Sequence, residues 1–91
     1  MHILIADDHT LFRDTVSDYI RRESGGTWRV TGCSQLSAAL EAARTIKFDL
    51  VLLDWRMPGM NGGEGLRQFY QANRSVPCAV LSGVVEAQDV A

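Results

Sequence analysis

The chain has 91 residues, of which 46% are hydrophobic and 22% charged, so it is one small globular domain rather than a disordered segment. Nine basic against eleven acidic side chains give a net charge of −2, which excludes a basic nucleic-acid footprint and a polybasic membrane anchor. No apolar run approaches the ~20 residues of a bilayer span, no secretory leader is visible, and two cysteines do not make a disulfide framework, all of which predicts a soluble cytoplasmic domain with reduced thiols.

Residues 3–6, Ile-Leu-Ile-Ala, form a short β-branched run that stops at Asp7-Asp8 and reads as a buried parallel strand. A helix over about residues 10–23 follows, with Phe12, Val16, Tyr19 and Ile20 on its apolar face and Arg13, Asp14, Asp18 and Arg21 on the other. Gly25-Gly26 ends it. Residues 28–32 make a second strand, and Ser34 is placed to cap a second helix whose stripe is Leu36, Ala39, Leu40 and Ala43. Residues 48–53 are a third strand, ending at Asp54. The turn-rich stretch from Pro58 to Gly63 leads to a third helix with Leu66, Phe69 and Tyr70 on its apolar face. Residues 77–81 are a fourth strand that stops at Ser82-Gly83, and residues 86–91 open another helix. This alternation of strand and helix predicts an α/β fold with a parallel sheet.

Three of the four strands end in polar groups that their apolar runs do not require: Asp7-Asp8, Asp54 and Ser82. In a parallel sheet these ends share one edge, which is where open α/β sheets bind ligands. Each group alone has an ordinary reading: an Asp pair or a single Asp marks a turn or cap, and Ser-Gly marks a loop. Their conjunction at one edge points to a site. Three converging carboxylates repel one another, and a cation relieves the repulsion. An all-oxygen set suits Mg²⁺, beside which a carboxylate can act as a nucleophile toward phosphorus.

On these residues the sequence resembles the receiver domain of two-component response regulators. The opening Ile3-Leu4-Ile5-Ala6-Asp7-Asp8-His9 is similar to that family's first strand and acidic pair. Asp54-Trp55-Arg56-Met57-Pro58-Gly59-Met60-Asn61-Gly62 resembles its phosphoacceptor segment, and Leu81-Ser82-Gly83 its hydroxyl-plus-small-residue pair. The resemblance implies a flavodoxin-like doubly wound sheet of strand order 2-1-3-4. It implies that Asp54 accepts a phosphoryl group from a sensor histidine kinase or a phosphotransfer protein. Asp7, Asp8, Asp54 and the backbone carbonyl of Arg56 then hold Mg²⁺, and Ser82 contacts a phosphoryl oxygen. DNA enters only through an output domain absent from this chain, and no membrane contact is implied.

Compared with the family pattern, the chain, taken as one receiver domain over residues 1–91, is expected to be incomplete at its C-terminus. It is expected to lack strand five, helix five, and the strand-five lysine and aromatic switch residue. Its one lysine, Lys47, precedes strand three and belongs at the opposite end of the sheet from Asp54. Strand four then becomes an edge, so self-association through strand four or the exposed C-terminal face is expected.

The glycines between Gly59 and Gly65 match neither a P-loop nor a dinucleotide fingerprint and read as a turn into helix three. Cys33 and Cys78 are expected to be separated by two intervening strands and therefore unpaired. His2 and His9 lack metal-ligand spacing, and His9 reads as a loop residue beside the site. Phe12, Leu40, Leu66 and Phe69 read as core. The leading reading is a phosphoacceptor signalling domain that is not a turnover enzyme. The alternative is an interaction or dimerisation module that keeps the shape without the phosphorylation. A Mg²⁺-dependent phosphatase ranks last, because Arg56 stands where such enzymes place a second acid.

Overall fold

β1 (His2–Ala6), α1 (Thr10–Glu23), β2 (Arg29–Cys33), α2 (Leu36–Thr45), β3 (Leu50–Asp54), α3 (Gly63–Ala72) and β4 (Cys78–Leu81) follow one another along residues 1–81, the part of the chain that a computed structural model describes. The strands pair in parallel, as the alternation predicts, and in the order β2-β1-β3-β4 that the family resemblance implies. The expected helix over residues 86–91 lies outside the described residues, as do Ser82 and Gly83.

β1 and β3 are the inner pair, and their composition shows why. Ile3, Leu4, Ile5, Ala6, Val51 and Leu53 are all buried, as expected of strands covered on both faces. Alternation sends Leu4, Ala6, Val51 and Leu53 to one face, where they join Leu36, Ala39, Phe48, Met57, Met60 and Phe69 in a core with α2 and α3. Ile3 and Ile5 point to the other face. There Gly32, the partner of Ile5 in β2, lies against the Arg13 side chain of α1.

Strand ends differ from the sequence reading by one or two residues. β2 runs through Cys33, which pairs with Ala6 and whose carbonyl accepts the Asp7 N–H at 2.9 Å. Phe48 precedes the β3 ladder and is buried instead against the His2 ring, edge-on at 4.9 Å.

Ser34 does not cap α2. The helix starts after Gln35, with no side-chain cap, and the Leu36 N–H is satisfied by the Pro58 carbonyl at 3.0 Å. The turn after β3 thus does the capping. Gly59, at φ 95°, brings that turn so close that a Cβ would stand 2.9 Å from the Leu36 Cβ.

The apolar face expected of α1 is also corrected. Phe12 and Tyr19 are 45% and 59% exposed, whereas Ser17 is buried. The helix is turned so that Arg13, Val16, Ser17 and Ile20 are its less exposed residues, and the Ser17 hydroxyl is satisfied by donating to the Arg13 carbonyl at 2.7 Å. In α3, Phe69 is fully buried as expected, but Tyr70 is exposed.

Candidate functional site

Asp7 directly follows β1, and Asp54 is the last residue of β3. Because Ala6 pairs with Leu53, the two carboxylates leave neighbouring strands at the same sheet edge. Both are buried, and Asp8 beside them is exposed. Each of Asp7, Asp8, His9 and Asp54 offers a ligand atom, and all four atoms lie within 4.8 Å of one another. The structure therefore brings together the three acids that the sequence singled out, and adds His9 to them.

His9 is placed by Asp7. The Asp7 Oδ1 accepts the His9 backbone N–H at 2.8 Å and meets the ring Nδ1 at 2.9 Å. The same Nδ1 lies 3.3 Å from Asp8 Oδ1 and 3.8 Å from Asp54 Oδ2. The hydrogen bond to Asp7 first, then the charges of Asp8 and Asp7, raise the imidazole pKa above its ordinary value.

Asp54 has two unlike oxygens. Oδ1 accepts the Arg56 backbone N–H at 3.1 Å, whereas Oδ2 is buried with no hydrogen-bond partner. Burial pushes the Asp54 carboxyl above the ordinary carboxylate range; Asp7 and Asp8 add to the rise, and the Arg56 N–H opposes it. An orphaned, buried oxygen beside two other carboxylates is costly unless something satisfies it. Apart from the His9 nitrogen beside it, the donor set is made of hard carboxylate oxygens, the kind Mg²⁺ prefers. The residues present fit Mg²⁺.

Arg13 takes part in the site through the backbone, which the sequence did not foretell; it reads there as one of several charges on the outer side of α1. Its Nη1 donates to the carbonyls of Asp7 at 2.8 Å and Cys33 at 3.3 Å. The Trp55 N–H donates to the Leu81 carbonyl at 3.0 Å, which ties the end of β4 to the residue after Asp54. Ser82, next in sequence, lies outside the described residues. Lys47 precedes the entering end of β3, opposite Asp54, as expected. A cleft of about 630 Å³ opens near Lys47, lined by Arg44, Phe48, Phe69 and Arg74 among others, but no carboxylate lines it. The clustered carboxylates lie at the other edge.

Comparison with known proteins agrees with this fold. The family model described as response regulator receiver domain matches residues 3–91. The glycerol metabolism activator of Pseudomonas putida is 36% identical over 89 residues, which cover 97% of this chain. The chain spans 40% of that relative's length, and 27% of a second curated relative's. Among solved structures, the non-phosphorylated HemR receiver domain of Leptospira biflexa superposes with a TM-score of 0.77 at 26% identity, covering 98% of this chain and 69% of that one. The response regulator TrrA of Thermotoga maritima shares the fold in two settings. In complex with the histidine kinase ThkA it gives a TM-score of 0.77 at 23% identity, covering 90% of this chain and 68% of that one. With Mg²⁺ and beryllium fluoride it gives 0.75 at 20% identity, covering 96% and 75%. Among the described residues, no helix is long and apolar enough to cross a membrane.

Proposed function

This chain belongs to the response regulator receiver domain family, and from that membership we propose that residues 1–91 form a phosphoacceptor signalling domain of a two-component system. Asp54 takes a phosphoryl group from a phosphohistidine on a sensor histidine kinase or a phosphotransfer protein. A bond forms between an Asp54 carboxylate oxygen and phosphorus while the phosphorus–nitrogen bond breaks, and the imidazole leaves with the electron pair. One phosphoryl group moves per donor, so the role is signalling rather than turnover.

The observation that carries this reading is the buried Asp54, whose Oδ2 has no partner while Asp7 and Asp8 stand beside it. The Arg56 N–H fixes Oδ1, so Oδ2 keeps its lone pairs open. Asp7, Asp8, Asp54 and the backbone carbonyl of Arg56 would hold Mg²⁺, which when bound offsets charge on the transferring phosphoryl oxygens. Ser82 would bond one of those oxygens. Support comes from TrrA, solved both with a histidine kinase and with Mg²⁺ and beryllium fluoride. Two further relatives, the transcriptional activator protein PfeR of Pseudomonas aeruginosa and the DNA-binding response regulator MtrA of Mycolicibacterium smegmatis, support a transcriptional output through a DNA-binding domain outside these residues, and we place that output in the cytoplasm.

β4 pairs only with β3 among the described residues, and Ala79 and Val80 on it are exposed. We place self-association along this edge or the adjoining C-terminal face; a monomer in light scattering at high concentration contradicts it. The second reading, a receiver-shaped interaction module that does not use phosphorylation, would use the same edge.

Mg²⁺ titration followed by Trp55 fluorescence, in a Trp28→Phe background, separates the two. The phosphoacceptor reading expects saturable binding that weakens about tenfold or more in Asp8→Asn and Asp54→Asn. No saturable binding by the folded protein contradicts it.

A further inference from the structure

We infer that Arg13 is a positioning residue for the acidic site: its guanidinium holds the peptide that joins Asp7 to Asp8, and Gly32 is the gap in β2 through which it reaches. The inference deepens the reading above and rests on it.

The contact set is specific. Arg13 comes from the first turn of α1, and its Nη1 donates at 2.8 Å to the carbonyl oxygen of Asp7. That oxygen belongs to the peptide whose nitrogen is Asp8's, so the bond fixes the plane from which both carboxylates project. The same Nη1 donates to the Cys33 carbonyl at 3.3 Å, and that carbonyl also accepts the Asp7 N–H at 2.9 Å. The guanidinium therefore closes a clamp over the exits of β1 and β2.

Among the described residues no carboxylate lies within ion-pair distance of Arg13; the arginines that have one are Arg21 and Arg44. The charge of Arg13 is directed at backbone oxygens. A guanidinium can do this because its donors are held in a rigid fork, whereas an ammonium is a point charge on a flexible stem.

Gly32 makes room. It pairs with Ile5 and faces α1, and a Cβ there would stand 3.0 Å from Arg13 Cδ and 3.2 Å from Nε. The obstructed atoms belong to a flexible side chain, so Gly32→Ala shifts the arginine rather than the strand. Groups that orient metal ligands from behind typically change metal affinity by about 10–100-fold when removed.

The test is Mg²⁺ affinity in four proteins: wild type, Arg13→Gln, Gly32→Ala and the double variant, each shown by its thermal transition to be folded at the assay temperature. Each single change is expected to weaken binding about tenfold. The double variant should bind no more weakly than Arg13→Gln, because both changes remove one contact. Arg13→Lys, which keeps the charge without the fork, should also bind more weakly than wild type. A structural role alone would lower the melting temperature and leave the affinity of the folded protein unchanged. Unchanged affinity in Arg13→Gln, or additive losses in the double variant, overturns the inference but leaves the phosphoacceptor reading standing. Failure of wild type to bind Mg²⁺ overturns both. Should Arg13→Gln not fold, Gly32→Ala decides: a tenfold loss supports the clamp, and none refutes it.

Discussion

His9 places its imidazole Nδ1 3.8 Å from Asp54 Oδ2, the buried side-chain oxygen that no hydrogen bond satisfies. The ring is drawn there by Asp7 and Asp8, and its side chain is 72% exposed. It is a neighbour of the oxygen set rather than a member. Exposed ion pairs of this kind are screened by solvent and contribute little. His9→Ala should therefore leave Mg²⁺ affinity within about fivefold of wild type, whereas Asp8→Asn costs about tenfold or more. Equal losses in the two variants would make His9 a ligand.

The raised Asp54 pKa sets a direction for stability in metal-free protein. The folded state binds the Asp54 proton more tightly than the unfolded state does. Its contribution is thus most favourable below the ordinary carboxylate range and is lost as pH rises toward the raised value. His9, also raised, contributes below the ordinary imidazole value and loses that contribution as pH climbs through its own raised value. In thermal melts with a chelator, Asp54→Asn should gain on wild type as pH increases from acid to neutral, and Mg²⁺ should remove the advantage. An advantage that shrinks with rising pH would contradict the burial argument.

Gly65 is required by the backbone rather than by its own conformation. A Cβ there would stand 2.5 Å from Met60 Cα and 2.8 Å from the Met60 carbonyl oxygen, which already accepts the Gly65 N–H. Neither atom can give way without moving the turn that follows Asp54. Gly65→Ala should cost about 1–3 kcal/mol, a fall in melting temperature of about 4–8 °C for each kcal/mol. Gly63→Ala is the control, since its Cβ meets only Trp55 Cη2 at 3.9 Å; equal losses in both would refute the close-contact account.

Cys33 and Cys78 lie in β2 and β4, the outer strands of the described sheet, with β1 and β3 between them. Three strand spacings of about 4.8 Å put them far beyond disulfide reach. Burial pushes both thiols up. Reductant should leave the melting temperature unchanged, and alkylation of the native protein should be slow at neutral pH and accelerate as pH rises past the ordinary thiol value. A reductant-sensitive transition would contradict this.

Much of the architecture is legible in the sequence because buried parallel strands and helix breakers are local signals. Ile3 to Ala6 and Val51 to Leu53 announce strands, Gly25-Gly26 stops α1, and the acids at the strand ends mark the edge. What escapes is tertiary. Ser34 looks like a cap, yet the Pro58 carbonyl, 22 residues on, satisfies the Leu36 N–H. Phe12 and Tyr19 look like core, yet α1 turns Arg13 and Ser17 toward the sheet. The Arg13 clamp depends on a missing side chain in β2, and periodicity along α1 carries no trace of that.

The central claim, that Asp54 is a phosphoacceptor, is tested most directly by intact mass after incubation with acetyl phosphate and Mg²⁺. In this reaction the acetyl oxygen–phosphorus bond breaks, acetate leaves, and an Asp54 oxygen–phosphorus bond forms. The account predicts one added phosphoryl group on wild type, and none on Asp54→Asn or in the presence of chelator. No addition to a folded wild-type protein that binds Mg²⁺ would contradict it.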